Sequence, residues 1–170
     1  MKGRLKKAIA IVLALIFCSL LIWRLWPHSF AAVISTDEST ITSLACTTAT
    51  SGLNDHGTTF ISNYELQSLE KDDEEFIAVL DILKSCEYRQ GFQNLFPLLI
   101  ASVESNSSKT AQVFLAWGNN ESETCYLVFH EDGQVSVSLG ANDGFKVYHA
   151  IDDTILDRLV DYVQKNGVEN

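Results

Sequence analysis

Residues capable of chemistry are few in this chain of 170. Thr124-Cys125 is the sharpest pair, because a thiol nucleophile held by a strand, with a histidine as base, runs acyl transfer. His56 lies upstream at a workable separation, and a thiol transpeptidase would add an arginine on a nearby strand. None lies between Cys125 and Arg158, and the strand pattern around Cys125 buries it, whereas a nucleophilic thiol must be accessible and have a depressed pKa. Ser68-Leu69-Glu70-Lys71 has the spacing in which a lysine eases deprotonation of a serine, but the accompanying Ser-Asp-Asn and Lys-Thr-Gly boxes are absent. His28, His56, His130 and His149 show no paired metal-ligand spacing. The acidic run 72–75 opens a helix and lacks the glycine-hinged oxygen loop of a calcium site. This reading assigns no catalytic, cofactor-binding or metal-ligating residue and no cofactor.

Whatever positions these groups is decided first by residues 1–26. Lys2, Arg4, Lys6 and Lys7 precede an uncharged stretch from 8 to 23, and Arg24 alone separates it from Leu25 and Trp26. A hydrocarbon core of about 30 Å needs roughly 20 helical residues, with about 17 tolerated, whereas a cleaved signal has an apolar region of about 7–15. The stretch is expected to be a transmembrane signal-anchor, with residues 5–26 in the lipid. Trp23 and Trp26 would sit at the far interface, and Pro27 would end the helix. The basic cap places the N-terminus in the cytoplasm and the remainder outside. Two alternatives accompany this expectation. Ser29-Phe30-Ala31 offers small residues for cleavage after Ala31, giving a secreted product. Cys18 is no lipobox cysteine, because Phe17 before it is not small, so it reads as a membrane-buried thiol.

Beyond residue 26 stand seven basic residues against all 22 acidic ones, a net charge of −15. Such a domain does not bind nucleic acid by phosphate neutralisation. Cys46, Cys86 and Cys125 allow one disulfide with a thiol left over, or three free thiols, and their spacing does not choose. Asn106-Ser107-Ser108 and Asn120-Glu121-Ser122 match the glycosylation pattern. The short basic cap reads as bacterial, so both are taken as chance.

The domain boundaries follow: 1–27 cap and anchor, 28–40 tether, 41–167 extracytoplasmic domain. Residues 41–50 and 58–62 read as strands of a hairpin around the turn 54–57. Asp72 with Glu75 caps a helix whose apolar stripe is Phe76, Val79, Leu80, Leu83 and Cys86, widened by Ile77 and Ile82, ending near Tyr88 with Gly91 as breaker. Strands are expected at 97–103, 111–117, 125–129, 135–139 and 145–149. A three-residue loop, Glu131-Asp132-Gly133 with glycine left-handed, sets Phe129, Leu127 and Cys125 opposite Val135, Val137 and Leu139 on one apolar face. His130, Gln134 and Ser136 then face out. A last helix, capped by Asp152 with Ile151 stapled to Leu156, buries Ile155, Leu156, Leu159, Val160 and Val163 and stops at Gly167. The expected fold is α+β: an N-terminal transmembrane helix, then an antiparallel sheet of about five to six strands with two amphipathic helices packed on one face.

In this order of elements, including Ile41-Thr42-Ser43-Leu44 and Asp132-Gly133, residues 40–165 resemble small uncharacterised extracytoplasmic domains of Gram-positive bacteria held by one N-terminal helix or a lipid. The resemblance implies a membrane-anchored module and carries over no site residue. The expected function is non-catalytic binding, sensing or docking with an envelope protein, through a sheet face bearing Tyr126, His130, Gln134, Ser136 and Tyr148. The alternative is a small hydrolase or thiol transpeptidase using Cys125 or Ser68.

Overall fold

The computed structural model describes residues 2–53, 58–91, 94, 107–118, 123–140 and 144–170. Its first element, α1 (Lys2–Leu25), is an unbroken helix of 24 residues. Among the described residues no helix is long and apolar enough to cross a membrane.

The chain after α1 is not a tether, as 28–40 was expected to be. His28 bridges antiparallel to Tyr88, its N–H donating to the Tyr88 carbonyl at 2.7 Å and its carbonyl accepting from the Tyr88 N–H at 2.9 Å. Ser29 then caps a short helix, α2 (Phe30–Ile34), its Oγ accepting from the Ala32 N–H at 3.4 Å. Phe30, Val33 and Ile34 are buried in the core. Three apolar side chains in five residues are too few for a periodic signal, and only tertiary burial stabilises so short a helix. A 3₁₀ turn, Glu38–Thr40, follows on an Asp37 cap.

Among the described residues, eight strands form one antiparallel sheet. They are β1 (Ser43–Leu53), β2 (Thr59–Glu70), β3 (Tyr88–Gln90), β4 (Lys109–Ala116), β5 (Thr124–His130), β6 (Gln134–Leu139), β7 (Phe145–Ala150) and β8 (Val168–Glu169). Their order is β3-β7-β6-β5-β4-β1-β2-β8. The α+β class and the antiparallel sheet are as expected; the strand count is larger because β3 and β8 are three- and two-residue edges with no alternation to read. The expected turn 54–57 and strand 97–103, together with Asn106 and the segment 120–122, lie outside the described residues.

The β5–β6 register is the expected one, with Phe129 opposite Val135, Leu127 opposite Val137 and Cys125 opposite Leu139. Gly133 has φ 78° and donates its N–H to the His130 carbonyl at 3.0 Å. β2 runs eight residues past its expected end, because pairing with β1 supplies what the polar stretch 62–65 lacks. A bulge makes this possible: Leu44 faces Leu69 while Cys46 faces Leu66, and Ser68 takes φ 45°. The extra residue turns both Leu66 and Leu69 to the core.

The helices α3 (Glu74–Lys84) and α4 (Ile155–Asn166) cover the sheet together with α2. α3 begins one residue later than expected, at cap Asp73, which makes no side-chain cap bond; its carboxylate instead accepts from the Glu70 N–H at 2.7 Å. The helix also ends earlier, because Tyr88 is drawn into the sheet opposite Ala150. Gly91 is therefore no helix breaker; it donates to the Val147 carbonyl beyond β3. α4 buries the expected five residues, but its cap is Thr154. Asp152 accepts from the Thr154 N–H at 2.9 Å and hydroxyl at 2.7 Å, and Ile151 stays 43% exposed rather than stapled.

Gly167 ends α4 where the backbone approaches β2. A Cβ there would stand 2.6 Å from the Val163 carbonyl oxygen and 2.8 Å from that of Glu65. Gly167→Ala is therefore expected to lower unfolding stability by about 1–3 kcal/mol, measured by urea titration with an unchanged m-value.

Candidate functional site

The sheet face opposite the helices is where the sequence places a binding surface. β5 contributes Tyr126, Val128 and His130, alternating with the buried Cys125, Leu127 and Phe129. Register carries this face across the neighbours: Phe114 lies beside Tyr126, Gln112 beside Val128, Ser138 and Ser136 on the other flank. The Tyr126 hydroxyl donates to Gln112 Oε1 at 2.5 Å. Phe114 is 43% and Phe145 58% exposed.

Two of the five expected residues do not belong to an exposed surface. Tyr148 pairs with Val135, so it points to the core side, is 6% exposed, and meets His28 edge-to-face at 6.4 Å. Alternation along β7 was legible, but the parity of β7 relative to β6 was set by pairing. Gln134 is on the expected face yet is 6% exposed, its backbone N–H held by the Asp132 carboxylate at 3.0 Å. Tyr126, His130 and Ser136 remain together there. His130 Nε2 stands 3.5 Å from Ser136 Oγ, and its Nδ1 is buried without a hydrogen-bond partner among the described residues. Burial holds the imidazole below its ordinary pKa, against the opposing pull of Asp132.

Among the described residues no base stands beside the candidate nucleophiles. Cys125 is 1% exposed, and burial pushes its thiol up to about 12; Cys46, deeper still, is raised to about 12 by the same cause. Cys86 is buried and also raised by desolvation, while its thiol donates to the Glu87 carbonyl at 3.1 Å. All four cysteines are free. His56, the proposed base, lies outside the described residues. Ser68 is the exposed bulge residue of β2, and Lys71 turns from it to donate to the Ser39 carbonyl at 2.5 Å. Among the described residues no three His, Cys, Asp or Glu side chains are grouped to hold a metal ion.

Sequence reasoning missed a concavity elsewhere. A cleft of about 440 Å³ lies between the 3₁₀ turn and α3, lined by Phe76, Ile77 and Leu80 together with acidic side chains and two lysines. The one available signal was the width of the α3 apolar stripe, too broad for a single buried face. Comparison with family models, curated proteins and solved structures finds no match.

Two measurements check this description. In the folded protein at pH 8, Cys46 and Cys125 are expected to resist a water-soluble maleimide, with labelling rising at least 100-fold in denaturant, because thiolate and access are both lacking. Acidification tests His130. Its folded pKa is below its unfolded one, so above about pH 6.5 neither state is protonated. As pH falls through that value the unfolded chain takes up the proton first, so stability declines. His130→Gln is expected to flatten that decline in thermal unfolding between pH 7 and pH 5.

Proposed function

We propose that the protein is a single-pass module of the cell envelope, with residues 5–26 in the membrane, its N-terminus cytoplasmic, and a non-catalytic binding domain outside. The observation that carries this reading is the charge division along α1: five basic residues in the first 26 and every acidic residue beyond them. An apolar helix flanked in this way is oriented with its basic end inside. The resemblance in element order to anchored Gram-positive ectodomains points the same way.

Retention of the anchor, against release after Ala31, is supported by the packing of what cleavage would remove. Phe30, 1% exposed, and His28, bridged to Tyr88, both precede that bond. Losing a buried phenylalanine costs about 3–5 kcal/mol, a large part of a small domain's stability. Binding rather than catalysis is supported by the burial of Cys125 and by the diversion of Lys71 away from Ser68.

In a bacterial host the full chain is expected to stay in the pellet after alkaline carbonate extraction. Protease added to spheroplasts should digest the domain while leaving a fragment of residues near 1–26. A soluble product beginning at Ala32 would establish the secreted alternative instead.

A further inference from the structure

The α3 cleft holds apolar side chains that the fold leaves unused. Phe76, Ile77 and Leu80 follow one another along one side of the helix, and Phe76 completes the core. Ile77 stays 50% exposed and Leu80 is only partly buried. Facing them across the cleft is the turn bearing Asp37 and Glu38. A volume of about 440 Å³ falls within the range of small-ligand pockets, about 300–1,000 Å³.

The charge around this floor is specific. Four carboxylates, Asp37, Glu38, Asp72 and Asp81, line the cleft with two ammonium groups, Lys71 and Lys84. Both cations are engaged from within. Lys71 donates to the Ser39 carbonyl, and Lys84 lies 3.7 Å from Glu38 and 3.8 Å from Asp81. Asp37 and Asp72 make no ion pair among the described residues. Asp37 is fixed as a carboxylate by the Ser39 N–H at 2.8 Å. The cleft therefore offers the half-exposed Ile77 and the partly buried Leu80 together with two carboxylates outside any direct ion pair, Asp37 feeling the Lys71 charge at longer range.

We infer that this cleft is a docking site for a partner segment carrying an apolar side chain flanked by lysine or arginine. The apolar side chain covers Ile77 and Leu80, and the cations meet Asp37 and Asp72. Charge complementarity excludes the competing occupants. A second copy would bring another domain of net charge −15, and anionic lipid or nucleic acid would be repelled likewise. The chain's own basic cap, Lys2 to Lys7, is on the far side of the bilayer in the proposed topology. The inference names a partner chemistry for the binding reading, and so rests on the domain being a binding module.

The test uses the full chain in zwitterionic nanodiscs, with isoleucine and leucine methyl groups observed by NMR. The probe is the pentapeptide acetyl-Arg-Leu-Arg-Leu-Arg-amide, and its control replaces each arginine by glutamate. Saturable shifts at Ile77 and Leu80 with the basic probe alone are expected. Asp37→Asn with Asp72→Asn should weaken binding about fivefold, the scale of two exposed charge contacts. Raised salt should weaken it similarly. Shifts spread over the whole acidic surface, equal binding of the acidic probe, or a double variant that binds as before would overturn the inference. The Ile22 methyl reports independently on the anchor. If a water-soluble paramagnetic agent broadens it, the topology fails and with it the exclusion of the chain's own basic cap as occupant, while the peptide-induced shifts at Ile77 and Leu80 still decide whether the cleft takes a basic segment.

Discussion

The domain depends on one apolar face of an antiparallel sheet being turned towards helices. That face is set at β5–β6, where Phe129, Leu127 and Cys125 meet Val135, Val137 and Leu139. A slip of one residue there would turn one strand over relative to the other, presenting either Tyr126 or Ser136 and Ser138 to the helices and exposing that strand's apolar set. The left-handed Gly133 makes the three-residue loop possible and so selects the register. From β5 the same parity passes through β4 to β1, with Val113 opposite both Leu127 and Cys46. Every candidate site is defined against it: Tyr126 and His130 lie outside, Cys125 and Cys46 inside.

Covering that face takes three helices rather than two. α3 and α4 come from within the domain, but α2 arrives directly from the end of α1. Phe30, Val33 and Ile34 pack in one core with Val135, Leu83 and Leu159. In the proposed topology the anchor is thus joined to the fold without slack, since His28 already belongs to the sheet edge. Movement of the domain relative to the membrane would have to occur at the two residues between Leu25 and His28.

The cysteines show how the same burial that stabilises a fold removes chemistry. Cys46 on β1 and Cys125 on β5, with β4 between them, behave as small apolar side chains, and desolvation makes their thiolates costly. The described surface retains exposed aromatic rings on the outer sheet face and a cleft beside α3 lined by carboxylates, which the proposed reading takes as recognition features. Aromatic side chains left in water and apolar floors ringed by charge are features of binding surfaces.

Much of the fold was legible wherever periodicity was long enough to reveal a face. The five buried residues of α4, the buried Phe76, Val79 and Leu83 of α3, and the β5–β6 register all follow from spacing and one glycine. The charge division about residue 26 is likewise a property of the sequence alone. Tertiary structure decided the rest, because it depends on partners distant in the chain. It recruited α2 and His28 from an expected tether, lengthened β2 through a bulge that only β1 could template, and pulled Tyr88 out of a helix into an edge strand. It also left Ile77 out of the core. A stripe on a helix records which side is apolar, but only the neighbouring elements determine how much of that side is covered.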